Sequence, residues 1–360
     1  MRSFAAIPNR SFSGVSTLSR CRFGGKDLIV MSMKRILVIQ PLRREGLEVF
    51  AGRKDVAYKV VTNFSEENLL ANVGDADAIA VRTAVITKRV LDAAPRLKVI
   101  SRHGVGYDNI PVSECTARGI AVTVVGAVNA ISVAEHTWFL ILAAARSGAE
   151  LDAATRCGDF GIRERVTGVE LNGRNLLIIG FGRIGKRVAD RARAFGMNIL
   201  VFDPYLHGDL PKDVRVVASL ESGLREADVV TLHAPLTDET RRVLGEHELS
   251  LLPKGAIVIN ASRGGLIDEA ALLAAVKSGH LHGAGLDTFE VEPLPLDSPL
   301  ASEPRIVLSP HSAAMTETSL VAMSVMTAKN ALAGIDGTLD PELVVNRSVL
   351  KGSAPASSEH

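Results

Sequence analysis

Cysteine is scarce in this sequence: Cys21, Cys115 and Cys157 are three among 360 residues and lie far apart. An odd, scattered set builds neither a disulfide framework nor a zinc site, and it suits the reduced thiols of a cytoplasmic protein. No metal site is expected. Aromatic residues are also few, 4% of the chain, which leaves little on which nucleic-acid bases could stack. Charge of one sign is not in excess either. Lys and Arg number 41 against 40 Asp and Glu, so the composition holds no electrostatic footprint for nucleic acid. The most apolar stretch, around Trp138 to Ala145, is too short to span a bilayer. Neither a nucleic-acid nor a membrane partner is expected.

Acidic residues are missing from the first 26 positions, which carry Arg2, Arg10, Arg20, Arg22 and Lys26. That composition is shared with organellar transit peptides. Met31 and Met33, however, stand directly before the first convincing strand, Arg35 to Gln40. The favoured expectation is a dispensable extension, residues 1–33, outside the fold of a cytoplasmic protein. The polar end, 347–360, is expected as a flexible tail.

What is present is a 47% hydrophobic, 22% charged chain, ordinary for a globular α/β protein and long enough for two domains. Apolar strands at 35–40, 77–82, 97–102 and 120–125 alternate with helical stretches, as repeated βα units do. A helix from Ser132 to Arg146 follows, with Ser132 and Glu135 spaced as a capping box. Its nearly continuous apolar content implies burial between layers or at a subunit contact. Residues 147–173 read as a loop rich in charge and glycine.

The strand 175–179 then runs into Gly180-Phe-Gly-Arg183-Ile184-Gly185 and a helix. A strand, three glycines and a helix form the context that a dinucleotide fingerprint requires. Gly180 allows the tight turn, Gly182 lets backbone approach a pyrophosphate, and Gly185 permits close helix packing. The uncapped N–H groups and positive dipole end of the helix face the phosphates. The next strand ends at Asp203, eighteen residues beyond Gly185. A carboxylate there accepts both hydroxyls of an adenosine ribose and repels a 2′-phosphate, which favours NAD over NADP.

Three short apolar runs, 256–259, 282–286 and 305–309, each precede a charged residue: Arg263, Glu292 and His311. Ligands bind beyond the carboxyl ends of such strands. About 150 residues of βα structure precede the fingerprint, so the economical arrangement is a discontinuous first domain. Residues 34–128 plus 312–346 would bind substrate, 129–311 would form a Rossmann domain for NAD, and the active site would lie in the cleft between them. The fold class is thus α/β, with two Rossmann-like domains, one flavodoxin-like and one NAD-binding, each on a parallel sheet.

Hydride transfer to a 2-oxo acid builds negative charge on an oxygen that must be protonated. Arg263 pairs bidentately with a carboxylate and stays charged. His311 is an imidazole, the side chain best suited to move the proton, and Glu292 beside it favours the imidazolium.

These motifs, with Leu232 to Thr237, Asn260 to Asp268, Gly285 to Pro293 and Ser309 to His311, jointly resemble the D-isomer-specific 2-hydroxyacid dehydrogenase family. The resemblance covers nearly the whole chain from residue 34. It implies Arg263, Glu292 and His311 as catalytic residues, with Glu292 chosen because it directly precedes Pro293. It implies a substrate loop at 102–109, where Gly104, Val105 and Gly106 offer backbone donors to a carboxylate. Arg82 is a candidate for an anionic substrate tail, and Lys88, Arg89 and Arg102 could also suit a phosphate. Asp287 would face the nicotinamide amide, and His233, Ala234, Pro235, Thr240, Ala261 and Ser262 would line the cofactor cleft. The implied partners are a small 2-hydroxy or 2-oxo acid and a second copy of the chain in a homodimer. The alternative is an NAD(H)-sensing binding protein on the same scaffold, as in the C-terminal-binding corepressors.

Overall fold

The apolar runs become the strands of two parallel sheets in the computed structural model, which describes residues 33–350 except His207 and Asp209. Residues 1–32 and 351–360, expected as an extension and a tail, lie outside the described residues. Two units divide the chain, one ending at Asn129 and resuming at Glu317, the other running from Ala130 to Thr316.

In the first unit the order along the chain is β1 (Lys34–Ile39), α1 (Arg44–Ala51), β2 (Val56–Val61), α2 (Glu66–Val73), β3 (Ala78–Val81), α3 (Lys88–Asp92), β4 (Val99–Arg102), α4 (Val112–Ala117) and β5 (Ala121–Thr123). The sheet order is β2-β1-β3-β4-β5, parallel throughout. β3 is all Ala, Ile and Val and fully buried, and β1 and β4 bury their runs Ile36–Ile39 and Val99–Ser101, as a sheet covered by helices on each side demands. β2 is absent from the expected strands. As an edge strand it is only half buried, and Tyr58 and Lys59 break its apolar run.

The second unit holds α5 (Ala130–Ala145), α6 (Gly148–Arg156), β6 (Asn175–Ile179), α7 (Arg183–Ala194), β7 (Asn198–Phe202), β8 (Val214–Val216), α8 (Leu220–Leu224), β9 (Val229–Leu232), α9 (Glu246–Leu251), β10 (Ala256–Asn260), α10 (Glu269–Lys277), β11 (Leu281–Leu286) and β12 (Ile306–Leu308). Its seven strands lie in the order β12-β11-β10-β9-β6-β7-β8. The order reverses between β9 and β6, which makes their carboxyl ends a topological switch point. The last helix, α11 (Glu317–Asp336), returns to the first unit, where Ser101 Oγ donates to the Thr327 carbonyl at 2.9 Å.

Four expectations need correction. α5 starts at Ala130, so Ser132 sits inside the helix and caps nothing; its hydroxyl bonds Thr316 Oγ1 instead. The expected loop 147–173 contains α6 and a 3-10 turn, Phe160–Glu164. Asn129 belongs to the first unit and residues 312–316 to the second. There Ser312 and Ala313 are held by the Asp287 carboxylate, and Thr316 by Ser132. Finally, the first residues of the expected tail are ordered: Arg347–Val349 form a 3-10 turn after the buried Asn346, whose side chain bonds Val122, Ile120 and Thr116. Among the described residues no helix is long and apolar enough to cross a membrane.

Candidate active site

Gly180 ends β6 with φ +90, and a Cβ there would stand 2.8 Å from the His233 carbonyl group. Gly185 packs against Gly180, where a Cβ would meet its oxygen within the radius of any real contact. Both glycines are therefore required by close approach. Gly182 differs: a Cβ on it would meet nothing within 4 Å. Its bareness leaves open space directly at the start of α7, where no side chain caps the helix N–H groups. A cradle of that kind fits a pyrophosphate. Arg183 and Ile184 form the first turn of α7, the arginine exposed and the isoleucine packed partly into the core.

Asp203 stands just past β7, and its carboxylate accepts from Phe181 N at 2.8 Å and Tyr205 N at 2.9 Å. It thereby fixes the glycine turn as well as presenting charge beside it. His233 follows β9 and joins the switch point through its N–H to the Ile179 carbonyl, 2.7 Å. Its ring meets Thr231 Oγ1 at 3.0 Å, and burial pushes its pKa down to about 3, so it is neutral at physiological pH. Ser262 Oγ donates to the Ala234 carbonyl at 2.8 Å, and Thr240 Oγ1 to that of Pro235 at 2.6 Å. Ala261 is buried between these turns.

The three charged residues share the carboxyl edge of this second sheet. Arg263 is held from behind: Asn260 Nδ2 donates to its carbonyl at 2.7 Å, while its own Nη1 donates to the Ser262 carbonyl. Glu292 Oε1 accepts from Phe289 N at 3.1 Å, and its Oε2 lies 2.8 Å from His311 Nδ1. Burial raises the Glu292 pKa, but the hydrogen bond and charge of His311, the Phe289 N–H and the charge of Arg263 outweigh it. The net shift is downward, so Glu292 is an anion that accepts. His311 then carries its proton on Nδ1, which leaves Nε2 as the nitrogen available for chemistry.

His311 itself has φ +50, a left-handed conformation that a non-glycine residue adopts only when its surroundings impose it. Asp287 imposes it. Its carbonyl accepts from His311 N at 2.8 Å, and its carboxylate, fully buried, receives Ser309 Oγ at 2.6 Å, Ser312 N at 2.8 Å and Ala313 N at 2.9 Å. Burial raises the Asp287 pKa, yet His136, Ser309 and the two backbone donors more than reverse it and keep the group ionised. The Asp287 carboxylate, the group expected to face a nicotinamide amide, thus also holds its own loop. Neither His136 nor Ser309 carried any sequence signal for this role, since 173 positions separate them.

In the first unit, Arg82, Gly104, Val105 and Gly106 lie at the carboxyl ends of β3 and β4. Gly104 N already donates to the Arg102 carbonyl at 3.0 Å, whereas among the described residues the Val105 and Gly106 amides donate to no backbone group. Arg82 is half buried, and burial followed by the charge of Arg43 lowers its pKa. His103 is buried: its Nε2 meets Ser324 Oγ at 3.1 Å, and burial, with Arg82 and Arg102, pushes its pKa down to about 4. Lys88 and Arg89 are drawn away to Glu114 and Glu66. Among the described residues, no group of three or more His, Cys, Asp or Glu is placed to hold a metal ion.

The family model for the D-isomer specific 2-hydroxyacid dehydrogenase, NAD binding domain, matches residues 138–313. A D-3-phosphoglycerate dehydrogenase of Methanocaldococcus jannaschii is 41% identical over 317 residues, 87% of this chain and 60% of that protein. A glyoxylate reductase of Aeropyrum pernix is 39% identical over 336 residues, covering 90% of this chain and 99% of its own length. The solved D-lactate dehydrogenase of Aquifex aeolicus, complexed with NAD and lactic acid, is 31% identical. It aligns with a TM-score of 0.78 over 86% of this chain and 99% of that one. These relatives carry enzyme names, which favours the dehydrogenase over the nucleotide-sensing alternative. With the glycine cradle and the strand-end residues in place, the chain belongs to the D-isomer specific 2-hydroxyacid dehydrogenase family, with NAD as its cofactor.

Proposed function

We propose that this chain catalyses reversible hydride transfer between NAD(H) and C2 of a small D-2-hydroxy or 2-oxo acid of the 3-phosphoglycerate, hydroxypyruvate or glyoxylate type. The 2.8 Å pairing of His311 Nδ1 with Glu292 Oε2 carries the reading, because it builds a proton donor whose free nitrogen is Nε2. NAD supplies or receives the hydride when bound. The protein's share is to hold the acid, stabilise charge and move one proton. Arg263 polarises the carbonyl and balances the charge that gathers on its oxygen during reduction. His311 Nε2 delivers the proton to that oxygen, and Glu292 balances the imidazolium from the other side. In oxidation, neutral His311 takes the hydroxyl proton by the same path.

Within the second unit Arg263 is assigned to the substrate's carbonyl side; within the first, the Val105 and Gly106 amides are candidates for a carboxylate and Arg82 for an anionic tail. Phosphoglycerate dehydrogenase and glyoxylate reductase among the relatives support a short, polar acid over a bulky apolar one. The test is NADH and NADPH oxidation with glyoxylate, hydroxypyruvate, pyruvate and phosphohydroxypyruvate, followed by chiral analysis of every product except the achiral glycolate. Turnover of at least one acid with NADH, giving the D product, is expected. Turnover of none, or an L product, would overturn the proposal.

The reading includes a cytoplasmic homodimer. Ile131, Phe139 and Leu142 recur along one face of α5 and remain exposed, with exposed Met315 nearby in the chain's second unit. A row of that kind on one helix suits a self-complementary subunit contact. Sedimentation should give a dimer that Phe139→Asp dissociates, whereas a monomeric wild-type chain would remove this part.

A further inference from the structure

His136 stands on α5, far along the chain from every residue given a chemical task, yet its imidazole reaches the centre of the loop that carries His311. Its Nε2 lies 2.8 Å from Ser309 Oγ and 3.3 Å from Asp287 Oδ1. The direction of each bond follows from proton count. Asp287 is an ionised acceptor, so the single hydroxyl proton of Ser309 goes to Asp287 Oδ1, 2.6 Å away. Ser309 Oγ has only lone pairs left, and His136 Nε2 must therefore be the donor. One N–H thus orients the Ser309 hydroxyl and adds a positive hydrogen to a carboxylate sealed from solvent.

That carboxylate is the hub of the 309–313 turn. It takes Ser312 N and Ala313 N, while the Asp287 carbonyl takes His311 N. The His311 backbone is held left-handed by these bonds, and its ring direction sets the contact with Glu292. A buried anion with a lost donor costs the desolvation of that group, and the turn is the part free to relax. The helical side of His136 is fixed as well, since its ring packs against Phe139 with centroids 5.4 Å apart. A hydrogen-bonding side chain so placed serves more than helix packing.

We propose that His136 is a positioning residue for proton transfer, donating through Nε2 to Ser309 and Asp287 so that the turn presents His311 Nε2 in its working direction. The inference rests on the acid–base role given to His311. His136→Leu removes the donor and keeps the apolar bulk. His136→Gln returns an N–H donor near the Nε2 position.

The experiment compares these variants with wild type and with His311→Ala, using the best 2-oxo acid and NADH or its 4-deuterated form. His136→Leu is expected to lower kcat by about tenfold, the rate equivalent of one hydrogen bond to a charged group. Its KM for NADH should stay within about twofold of wild type, because no cofactor contact is removed. The isotope effect on kcat should rise, since the chemical step slows relative to product release. His136→Gln should restore most of the rate. A purely structural histidine would lower the thermal midpoint or the active fraction and leave the isotope effect unchanged, which overturns the proposal. So does wild-type kcat in His136→Leu while His311→Ala is inactive. Should His311→Ala itself keep normal turnover, it is the acid–base reading that fails.

Discussion

Gly264 lies against the Phe289 peptide so closely that a Cβ on it would stand 1.9 Å from the Phe289 oxygen and 2.5 Å from Glu290 N. The residue before Gly264 is Arg263, and the Phe289 N–H holds Glu292. This glycine contact therefore sets how far the guanidinium stands from the acid–base pair. Glu269 reinforces it from the start of α10, accepting from Glu290 N at 2.6 Å. A methyl group at 264 must push the two turns apart. Gly264→Ala should lose about 1–3 kcal/mol of stability through overpacking, and about 10²-fold in kcat if the shift reaches about 1 Å. Urea denaturation and steady-state rates measure both. Unchanged kcat would show that the two turns are not registered by this contact.

His311→Ala removes the proposed proton donor while leaving hydride transfer sterically possible. The expected loss is about 10²–10⁴-fold in kcat, the usual scale of general acid–base help. Cofactor affinity, measured by fluorescence titration with NADH, should stay near wild type. A variant that retains a tenth of the activity would remove His311 from its role.

Glu292→Gln keeps the shape of the pair and deletes its charge. Glu292 is held below the ordinary carboxylate range by His311, Phe289 N–H and Arg263 acting against burial, so it is an anion across the neutral range. Without that anion the protonated form of the pair loses its counter-charge. Both limbs governed by this proton move to lower pH: the alkaline limb of reduction and the acid limb of oxidation. Profiles of kcat against pH in the two directions test the sign. A shift to higher pH, or none, would exclude Glu292 as the charge partner.

Much of this site could be read in the sequence, and the reasons are local. β6, β10 and β11 are short apolar runs buried on both faces, so composition alone marks them. Gly180 and Gly185 follow a strand and precede a helix, a context that survives without coordinates. β2 and β8 were harder because each is a poorly buried edge strand whose short run is broken by polar residues, Tyr58 and Lys59 in one and Arg215 in the other. Ser132 showed the spacing of a cap, yet the helix extends two residues further because Ala130 and Ile131 have no reason to leave it. The bracket of His136, Ser309 and Asp287 could not be read at all. Helix, strand end and turn come together only through the packing of α5 on β11 and β12, and no period in the sequence records it.

Asp287 links the turn to pH. Its folded pKa lies below the ordinary carboxylate value because His136, Ser309 and two backbone N–H groups outweigh burial. A depressed carboxylate contributes stability fully above its unfolded pKa of about 3.9, and that contribution is lost as pH falls through the folded value. Asp287→Asn should therefore be less stable than wild type at neutral pH by about 1–3 kcal/mol, since one acceptor becomes a donor facing donors. The gap should narrow as pH is lowered through the acid range. Thermal midpoints at pH 7 and below pH 4 give the comparison, and a gap independent of pH would show that the Asp287 charge is not what holds the turn.

Asp203 carries the last prediction, because its carboxylate has two separable effects. It fixes the glycine turn through Phe181 N at 2.8 Å, and its charge beside that turn is proposed to oppose a 2′-phosphate. Asp203→Asn keeps an acceptor for Phe181 N and removes the charge; Asp203→Ala removes both. If charge sets the cofactor preference, both variants should narrow the ratio of kcat/KM for NADH over NADPH by about tenfold or more, the scale of one exposed charge contact. If the backbone contact sets the turn, only the alanine variant should also raise KM for both cofactors together. An asparagine variant with the wild-type NADH preference would show that the preference resides elsewhere in the cradle, and equal KM values in the two variants would separate Asp203 from the geometry of the Gly180 turn.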